Sequence, residues 1–158
     1  LGEVWELSRD LSKQTFFPNR WMDGEKELTN LMVVASSDKN GNPSLNSNYG
    51  AKELDLFAPG MDIYSSYMGD TYQTGSGAGL SSATVAALIK AYYPNLTGSQ
   101  IRDILLKTVT SRKGVEVEKG IVVNNKQAQD LFLFEDLCLS GGILNAYQAI
   151  MAADKLAK

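Results

Sequence analysis

The residues whose types and spacing best suit chemistry lie in the stretch QTGSGAGL, residues 73–80. Gly75, Gly77 and Gly79 alternate with small residues, and Ser76 lies between the first two glycines. An apolar helical pattern follows at once, so the stretch precedes a helix N-terminus, where free backbone N–H groups favour negative charge. Three interpretations fit this position: a phosphate-binding loop, a serine nucleophile, or an ordinary helix cap, where serine is common.

The spacing of the glycines argues against the phosphate-binding loop. A dinucleotide-binding loop has the pattern G-x-G-x-x-G, whose third glycine lets the helix pack closely on a strand. Here Leu80 stands where that third glycine would be, and no G-K-S or G-K-T sequence is present for a P-loop. The acid that would bind a ribose, about 20 residues further on, falls between Ser99 and Asp103 in a second helical pattern. The sequence therefore disfavours a nucleotide-binding domain.

The complete absence of histidine limits any mechanism that uses Ser76. A serine hydroxyl needs a general base to take its proton as it attacks, and imidazole is the most common such base. The 18 acidic residues do not replace it, because carboxylates with ordinary pKa values are weak bases. On chemistry alone, a plain helix cap is the simpler interpretation of Ser76.

Two other groups of residues have structural interpretations. Asp38, Asn40 and Asn42 alternate as calcium ligands do, but no bidentate Glu follows at the required spacing, and the cluster is typical of a turn. Cys138 is the single cysteine, so it forms no internal disulfide and has no companion ligands for a metal. We expect a buried structural thiol. The sequence predicts no cofactor and no metal site.

Strand patterns precede the serine stretch. The apolar run LMVVAS (31–36) predicts a strand buried on both faces of a parallel sheet. The segment LDLFAPG (54–60) predicts a short strand that Pro59 and Gly60 end. The segment 61–74 predicts two strands around a Gly69-Asp70 turn. Its tyrosines, Tyr64, Tyr67 and Tyr72, could line a peptide groove, although alternating aromatic residues favour packing within a sheet.

Helical patterns follow the serine stretch. The first, from about Gly77 to Tyr93, is apolar nearly all round, which is typical of a buried central helix. The second starts at a capping box formed by Thr97 and Gln100, and a third begins after Gly141 and Gly142. This order predicts a single layered α/β domain over residues 1–158, with a mainly parallel sheet and a buried central helix.

Three segments fall outside this core pattern. Val4, Leu7 and Leu11 predict a short amphipathic helix over residues 1–13. Residues 16–30 are predicted to be a loop that contains Pro18 and Gly24. The charged stretch SRKGVEVEKG (111–120) predicts a solvated excursion before a strand, GIVVNN, and its hairpin partner or loop.

Composition excludes several classes of function. A net charge of -3 without a basic cluster disfavours a nucleic-acid partner. No apolar run approaches the roughly 20 residues that span a bilayer, so no membrane span is predicted. The first 13 residues carry three acids and no apolar core segment, so they are not a signal peptide.

Several segments, in order, resemble the C-terminal part of a subtilisin-like serine protease catalytic domain (subtilase, peptidase S8), closest to the secreted Bacteroidetes-type enzymes. They are the strand followed by SNYG, then APG, IYS, the serine stretch with its helix ending in YYPNLT, the next helix, and LSGGILNAYQAI. In that family the nucleophile lies in G-T-S-M-A-x-P, and counting back from ALIKAYYP without a gap places Ser76 on its serine. With a gap, Ser81 or Ser82 would take that place. Around Ser76 the motif departs from the family: Thr74-Gly75 precede it, and Gly77-Ala78-Gly79-Leu80 follow.

The resemblance implies an endopeptidase that is incomplete in this chain, because the family's Asp, His and oxyanion-binding Asn lie in the N-terminal half of the domain. This chain alone is therefore predicted not to hydrolyse peptides, and an upstream Asp and His are expected in the fuller gene product. The altered motif favours an alternative, a pseudoprotease that serves binding or structure. The resemblance also implies a peptide or protein substrate for the complete domain and a secreted or cell-envelope location. It further implies either a substantial exposed apolar patch or self-association, through surface that the N-terminal half would cover.

Overall fold

A computed structural model describes residues 8–14, 16–17, 19–22, 26–123 and 126–158. The strands in these ranges are β1 Trp21–Met22, β2 Lys26–Glu27, β3 Val34–Ser37, β4 Leu56–Pro59, β5 Ile63–Tyr67, β6 Thr71–Gly75, β7 Thr110–Ser111, β8 Glu116–Val123, β9 Lys126–Leu133 and β10 Gly142–Ile143. The helices are α1 Ala78–Tyr92, α2 Gly98–Lys107 and α3 Ala146–Leu156, with a 3-10 turn at Phe134–Asp136. This mixture of strands and helices confirms the predicted α/β class.

A four-stranded sheet in the order β3-β4-β10-β7 forms the centre of the fold. Strand β4 pairs in parallel with both β3 and β10, and β10 pairs antiparallel with β7. The sheet is therefore mainly parallel, as predicted. Strand β3 begins at Val34, three residues later than the apolar run. Its predecessor, Val33, donates its backbone N–H to the Asp55 carboxylate (2.7 Å).

Strand β4 is buried on both faces, and its side chains alternate between two hydrophobic cores. Leu56 and Ala58 pack in the core under the helices, whereas Phe57 faces a second core that contains Phe134. The rings of Phe57 and Phe134 meet edge to face, with centroids 5.2 Å apart. The strand ends at Pro59, as predicted, because proline lacks the N–H that would continue the ladder.

Helix α1 lies across β3 and β4 and buries one face, which includes Val85 and Ile89. Leu88 and Tyr92 on other faces are 41% and 75% exposed. The predicted burial of α1 is confirmed on the side toward the sheet, whereas the described residues leave its other sides partly uncovered. No helix in the described ranges is long and apolar enough to span a membrane.

Helix α2 begins at the predicted capping box. The Thr97 hydroxyl accepts the Gln100 N–H (3.2 Å), and the Gln100 side chain accepts the Thr97 N–H (2.8 Å). Helix α3 begins at Ala146 instead of residue 143, because Gly142 and Ile143 pair with β7 in the sheet. Its N-cap is Asn145, whose side chain accepts the Gln148 N–H (3.0 Å).

The predicted N-terminal helix is wrong where the structure describes it. Residues 1–7 lie outside the described residues; from residue 8 onward the chain forms a β-bridge at Asp10 and then a turn. The Leu11 N–H donates to the Tyr49 carbonyl (2.8 Å), and the Tyr49 N–H donates to the Arg9 carbonyl (3.0 Å). These long-range bonds use backbone groups that a helix would have paired locally. The predicted loop over residues 16–30 also contains a short antiparallel pair, β1 with β2; its breakers Pro18 and Gly24 lie outside the described residues.

The predicted solvated excursion over residues 111–120 is also wrong. Residues from Glu116 onward belong to β8, which pairs with β9 over eight positions as a long hairpin. Val117 is buried, and the Lys119 side chain is fully buried. Burial alternates along the strand: Val117 and Lys119 lie on the buried face, and Glu116 and Glu118 lie on the exposed face.

Candidate functional site

Ser76 lies in the short connection between β6 and α1, which consists of Ser76 and Gly77 alone. Its side chain is exposed. Gly77 is the N-cap of α1 and has extended backbone (φ -177), with no side chain capping the helix. The first turn of α1 contains no acidic residue, so the positive end of the helix is not neutralised there.

The end of β4 fixes the start of α1 beside Ser76. The Gly77 N–H donates to the Gly60 carbonyl (2.8 Å), and the Ser81 hydroxyl donates to the Pro59 carbonyl (2.6 Å). A Cβ on Gly60 would lie 2.5 Å from the Ala78 nitrogen, so only glycine permits this approach. The segment APG therefore positions the helix that follows the serine.

The three candidate serines differ in exposure and in their contacts. The Ser81 hydroxyl is engaged by the Pro59 carbonyl. Ser82 is 4% exposed, and its hydroxyl has no hydrogen-bond partner among the described residues. Of the three, only Ser76 presents an exposed side chain. An exposed hydroxyl at the positive end of a helix is placed to attack a carbonyl and to have the developing oxyanion stabilised, provided that a base takes its proton.

The hairpin β5–β6 that leads into Ser76 is exposed along most of its length. Tyr64 and Tyr72 stack on one face with ring centroids 5.6 Å apart, and they remain 71% and 63% exposed. The predicted hairpin is confirmed, but the expectation that its tyrosines pack inside a sheet layer is wrong. In the described part of the chain β5 and β6 pair only with each other, so no second layer covers them.

A cavity of about 940 Å³ lies along α1 and β3. Strand β3 is the edge of the four-stranded sheet, and its side of the cavity is apolar from Leu31 to Ala35. The wall from α1 consists mostly of small residues, including Gly79, Ala83 and Ala87, with Lys90 as the one long side chain. Ser76 is not among the residues that line this cavity, which therefore lies apart from the candidate nucleophile.

The turn and the cysteine are placed as the sequence predicts. The Asp38 carboxylate accepts the N–H groups of Asn40 and Asn42, both at 2.8 Å, and these bonds lower its pKa against the opposing effect of desolvation. Cys138 is a buried free thiol, and burial raises its pKa. A protonated, enclosed thiol is a poor nucleophile, consistent with a structural role.

Sequence reasoning missed a buried ionic cluster below the cavity. The Asp55 carboxylate is fully buried and lies 2.8 Å from the guanidinium groups of both Arg20 and Arg102. Glu27 contacts the same two arginines at 3.7 and 3.4 Å. The only signal in the sequence is an acid between Leu54 and Leu56, in a segment otherwise apolar enough for the core.

The model of the subtilase family, peptidase S8, matches residues 12–129, which is most of the chain. The chain belongs to the subtilase family. This subtilase is 36% identical to Subtilisin Savinase from Lederbergia lenta over 102 residues, covering 63% of this chain and 38% of that protein. It is 40% identical over 83 residues to a thermostable alkaline protease from Halalkalibacterium halodurans, covering 51% of this chain and 23% of that protein.

Solved structures share the fold at lower identity. A chain from a structure of the assembly of the subtilase cytotoxin SubAB superposes with a TM-score of 0.69 at 20% identity, covering 95% of this subtilase chain and 47% of that one. The prenylagaramide maturation protease PagA gives a TM-score of 0.55 at 24% identity, covering 78% and 44%. The subtilase chain therefore spans less than half the length of each of these relatives and structures.

Proposed function

We propose that this chain is the C-terminal, nucleophile-bearing part of a subtilisin-like serine endopeptidase domain, with Ser76 as the nucleophile. The observation that carries the proposal is the exposed Ser76 side chain at the N-terminus of α1, where the chain is anchored to the end of β4. The count without a gap from the helix to the family motif supports the same residue. In this role the Ser76 oxygen attacks the scissile carbonyl, and the helix N-terminus favours the negative charge that develops.

The proposed domain needs a base from outside this sequence. With no histidine in 158 residues, a complete Ser-His-Asp set cannot form within it. The chain alone is therefore proposed to be inactive toward peptides, and its substrates, peptides or proteins, are cleaved only when the complementing part of the domain is present.

Activity of separate and combined polypeptides tests this proposal. The isolated chain is assayed with a fluorogenic peptide and a fluorophosphonate probe, and again after coexpression with the segment that the reading frame encodes upstream of Leu1. We expect turnover and labelling only in the combination, lost in Ser76→Ala and kept in Ser81→Ala. Turnover by the isolated chain that vanishes in Ser76→Ala would contradict the need for an external base.

The second candidate is a pseudoprotease that acts as a binding or structural domain. It is favoured by the motif around Ser76, where Gly77-Ala78-Gly79-Leu80 replaces the M-A-x-P of the active family. Sequencing upstream separates the two candidates, because substituted positions in place of the Asp and His identify a pseudoprotease. Absence of fluorophosphonate labelling in the full product would support the same conclusion.

We place the protein outside the cytoplasm, as a secreted or cell-envelope protein of the Bacteroidetes type. The support is the resemblance of the ordered segments from SNYG to LSGGILNAYQAI to such enzymes. Immunodetection in the medium, envelope and cytoplasmic fractions of the source cells tests this location, and recovery in the cytoplasm alone would overturn it.

The isolated chain is also proposed to self-associate. Apolar residues 31–35 and the mostly small side chains of α1 line a large cavity that the described residues leave uncovered, and apolar grooves of this kind favour association. The oligomeric state in solution tests this proposal.

A further inference from the structure

Lys119 is an ionisable side chain placed entirely inside the protein. It lies on β8 with no exposed surface. Its Nζ donates to the Ser8 hydroxyl (2.8 Å) and to the Leu45 carbonyl (2.7 Å), and it lies 5.5 Å from the centroid of the Tyr49 ring. Both hydrogen-bond acceptors are uncharged, so they satisfy the amine in either protonation state without neutralising an ammonium ion.

The hairpin that carries Lys119 is pressed closely against the residues that accept its hydrogen bonds. A Cβ on Gly120 would overlap the Leu45 carbonyl, so the strand backbone itself touches this loop. On the same hairpin Phe132 packs against Tyr49 with ring centroids 5.3 Å apart, and Val117 is buried in the same core. Lys119 is therefore enclosed between the hairpin and residues 8–11 and 44–49, and their separation would expose it to water.

Among the residues that the structure describes, the charged groups on the surrounding elements have other partners. Asp130 is the cross-strand partner of Lys119 on β9, but it is exposed and accepts the Leu131 N–H (2.9 Å). On the N-terminal segment Asp10 is 3.1 Å from Lys13 and also accepts from Ser12. Tyr49 has a raised pKa through burial and stays neutral. Among the described ion pairs, none includes Lys119.

We propose that the hairpin β8–β9 is a pH-sensitive clamp: it docks with Lys119 uncharged, and protonation of Lys119 loosens it from residues 8–11 and 44–49. Burial lowers the pKa of Lys119 from 10.5 to about 7, because the low-dielectric interior disfavours the ammonium form. No described carboxylate pairs with Lys119, so the free-energy cost of burying its ammonium form is relieved by movement of the hairpin.

Because the pKa of Lys119 is lowered in the folded state, stability depends on pH in a defined direction. Between pH 7 and 10.5 the unfolded chain binds a proton that the folded chain does not, so the free energy of unfolding rises with pH. Below this pH range Lys119 is protonated in both the folded and the unfolded chain, and the stability gained from the uncharged amine is absent. Within it the unfolding equilibrium constant is expected to fall by up to about tenfold per pH unit.

A line of hydrogen bonds runs from the clamp to strand β3. The Ser8 hydroxyl donates to the Ser47 carbonyl (2.7 Å), and the Ser47 hydroxyl accepts the Ser36 N–H on β3 (3.0 Å). The Ser36 hydroxyl lies 2.6 Å from where a Cβ on Gly60 would be, next to the start of α1. The Ser36 hydroxyl has no hydrogen-bond partner among the described residues, so the line ends at β3, and the clamp does not depend on the proposed function.

Urea unfolding at pH values from 6 to 10 tests the clamp with the whole chain. Lys119→Met removes the titrating group while keeping an unbranched side chain, and Lys126→Met is the control on the exposed end of the same hairpin. We expect wild type and Lys126→Met to gain stability from pH 7 to 10 relative to Lys119→Met. Subtracting the free energy of unfolding of Lys119→Met from that of wild type at each pH removes the contributions of Tyr49 and Cys138 to the pH dependence. Equal pH profiles in all three proteins would overturn the proposal.

Two local measurements on the wild type keep the test valid if Lys119→Met fails to fold. Hydrogen-exchange protection factors of residues 116–133, corrected for intrinsic rates, are expected to be lower at pH 6 than at pH 9. In protein with carbon-13-labelled lysine, one side-chain resonance is expected to titrate near neutral pH and the others near their ordinary pKa. If no lysine titrates between pH 6 and 9, the clamp does not exist.

Discussion

At the residue scale, the glycines around Ser76 differ in how strictly their positions require glycine. Gly60 meets the backbone of Ala78, so a side chain there would force β4 and α1 apart. A Cβ added at Gly77 or Gly79 would meet no packed atom within 4 Å, and neither glycine has a positive φ. The fold therefore tolerates a side chain at Gly77, where the family motif has methionine, and at Gly79, where the motif admits any residue.

The substitution Gly79→Ala is expected to raise the free energy of unfolding by about 1 kcal/mol, because alanine loses less backbone entropy within a helix. Urea denaturation measures the change. Gly60→Ala is the matched comparison and should destabilise the protein through its clash with Ala78. A loss of stability in Gly79→Ala would show that the glycine has a steric role that the structure does not contain.

The buried carboxylate of Asp55 gives a second prediction at this scale. Asp55→Asn removes the buried one of the two carboxylates that balance Arg20 and Arg102 and leaves only the more exposed Glu27 beside them. Breaking a buried ion pair in this way costs about 3–5 kcal/mol. The control is Asp103→Asn, which breaks an exposed pair with Lys107 at 3.5 Å and should cost about 0.5 kcal/mol or less. Similar losses in the two variants, measured by urea unfolding, would mean that burial does not set the strength of the cluster.

At the element scale, the two helices after Ser76 begin in different ways. Helix α1 has no side-chain cap and is held instead by the bond from Gly77 to Gly60 and by its packing on the sheet. Helix α2 has a complete capping box in its own sequence. Local sequence therefore starts α2, whereas the start of α1 depends on the strand that precedes the hairpin.

Thr97→Ala is expected to lower the free energy of unfolding by about 1 kcal/mol, because it leaves the Gln100 N–H without its side-chain acceptor. Thr97→Ser keeps the hydroxyl and should retain most of the stability. Thermal and urea unfolding of both variants make the comparison. If serine is as damaging as alanine, packing of the threonine methyl group accounts for the effect instead of the cap.

At the scale of the whole molecule, the apolar surface is divided between covered and uncovered sides of the same helix. One face of α1 lies on the sheet, while its small-residue side lines the cavity beside the β3 edge. A helix that is apolar nearly all round gains most when all its sides are covered. The uncovered side is the physical basis for the proposed self-association.

Sedimentation velocity over a range of concentrations is expected to show reversible association of the isolated chain. Ala83→Arg places a long charged side chain in the cavity wall and should shift the protein toward monomer. Ala91→Arg is the control, since Ala91 is exposed on the same helix but does not line the cavity. A wild-type chain that stays monomeric at all concentrations, or equal effects of the two variants, would count against this surface.

The sequence by itself determined the features whose causes are local. The capping box at Thr97, the turn at Asp38, the end of β4 at Pro59 and the hairpin around Gly69 all follow from residues within a few positions of one another. The order of strands and helices also predicted the α/β class and the mainly parallel sheet. Ser76 at the entrance to α1 was found in the same way, and its role as a nucleophile stays a prediction.

Only the tertiary structure decided the features that depend on distant parts of the chain. Asp55 is buried because Arg20 and Arg102 converge on it from 35 residues before and 47 residues after. Residues 9–11 form a bridge because Tyr49 supplies their backbone partners. Lys119 became a core residue because its hairpin folds over Ser8 and Leu45. A charged residue in a local pattern predicts solvent exposure, and apolar residues at helical spacing predict a helix. In each of these cases a distant partner, which local pattern does not contain, produced a different structure.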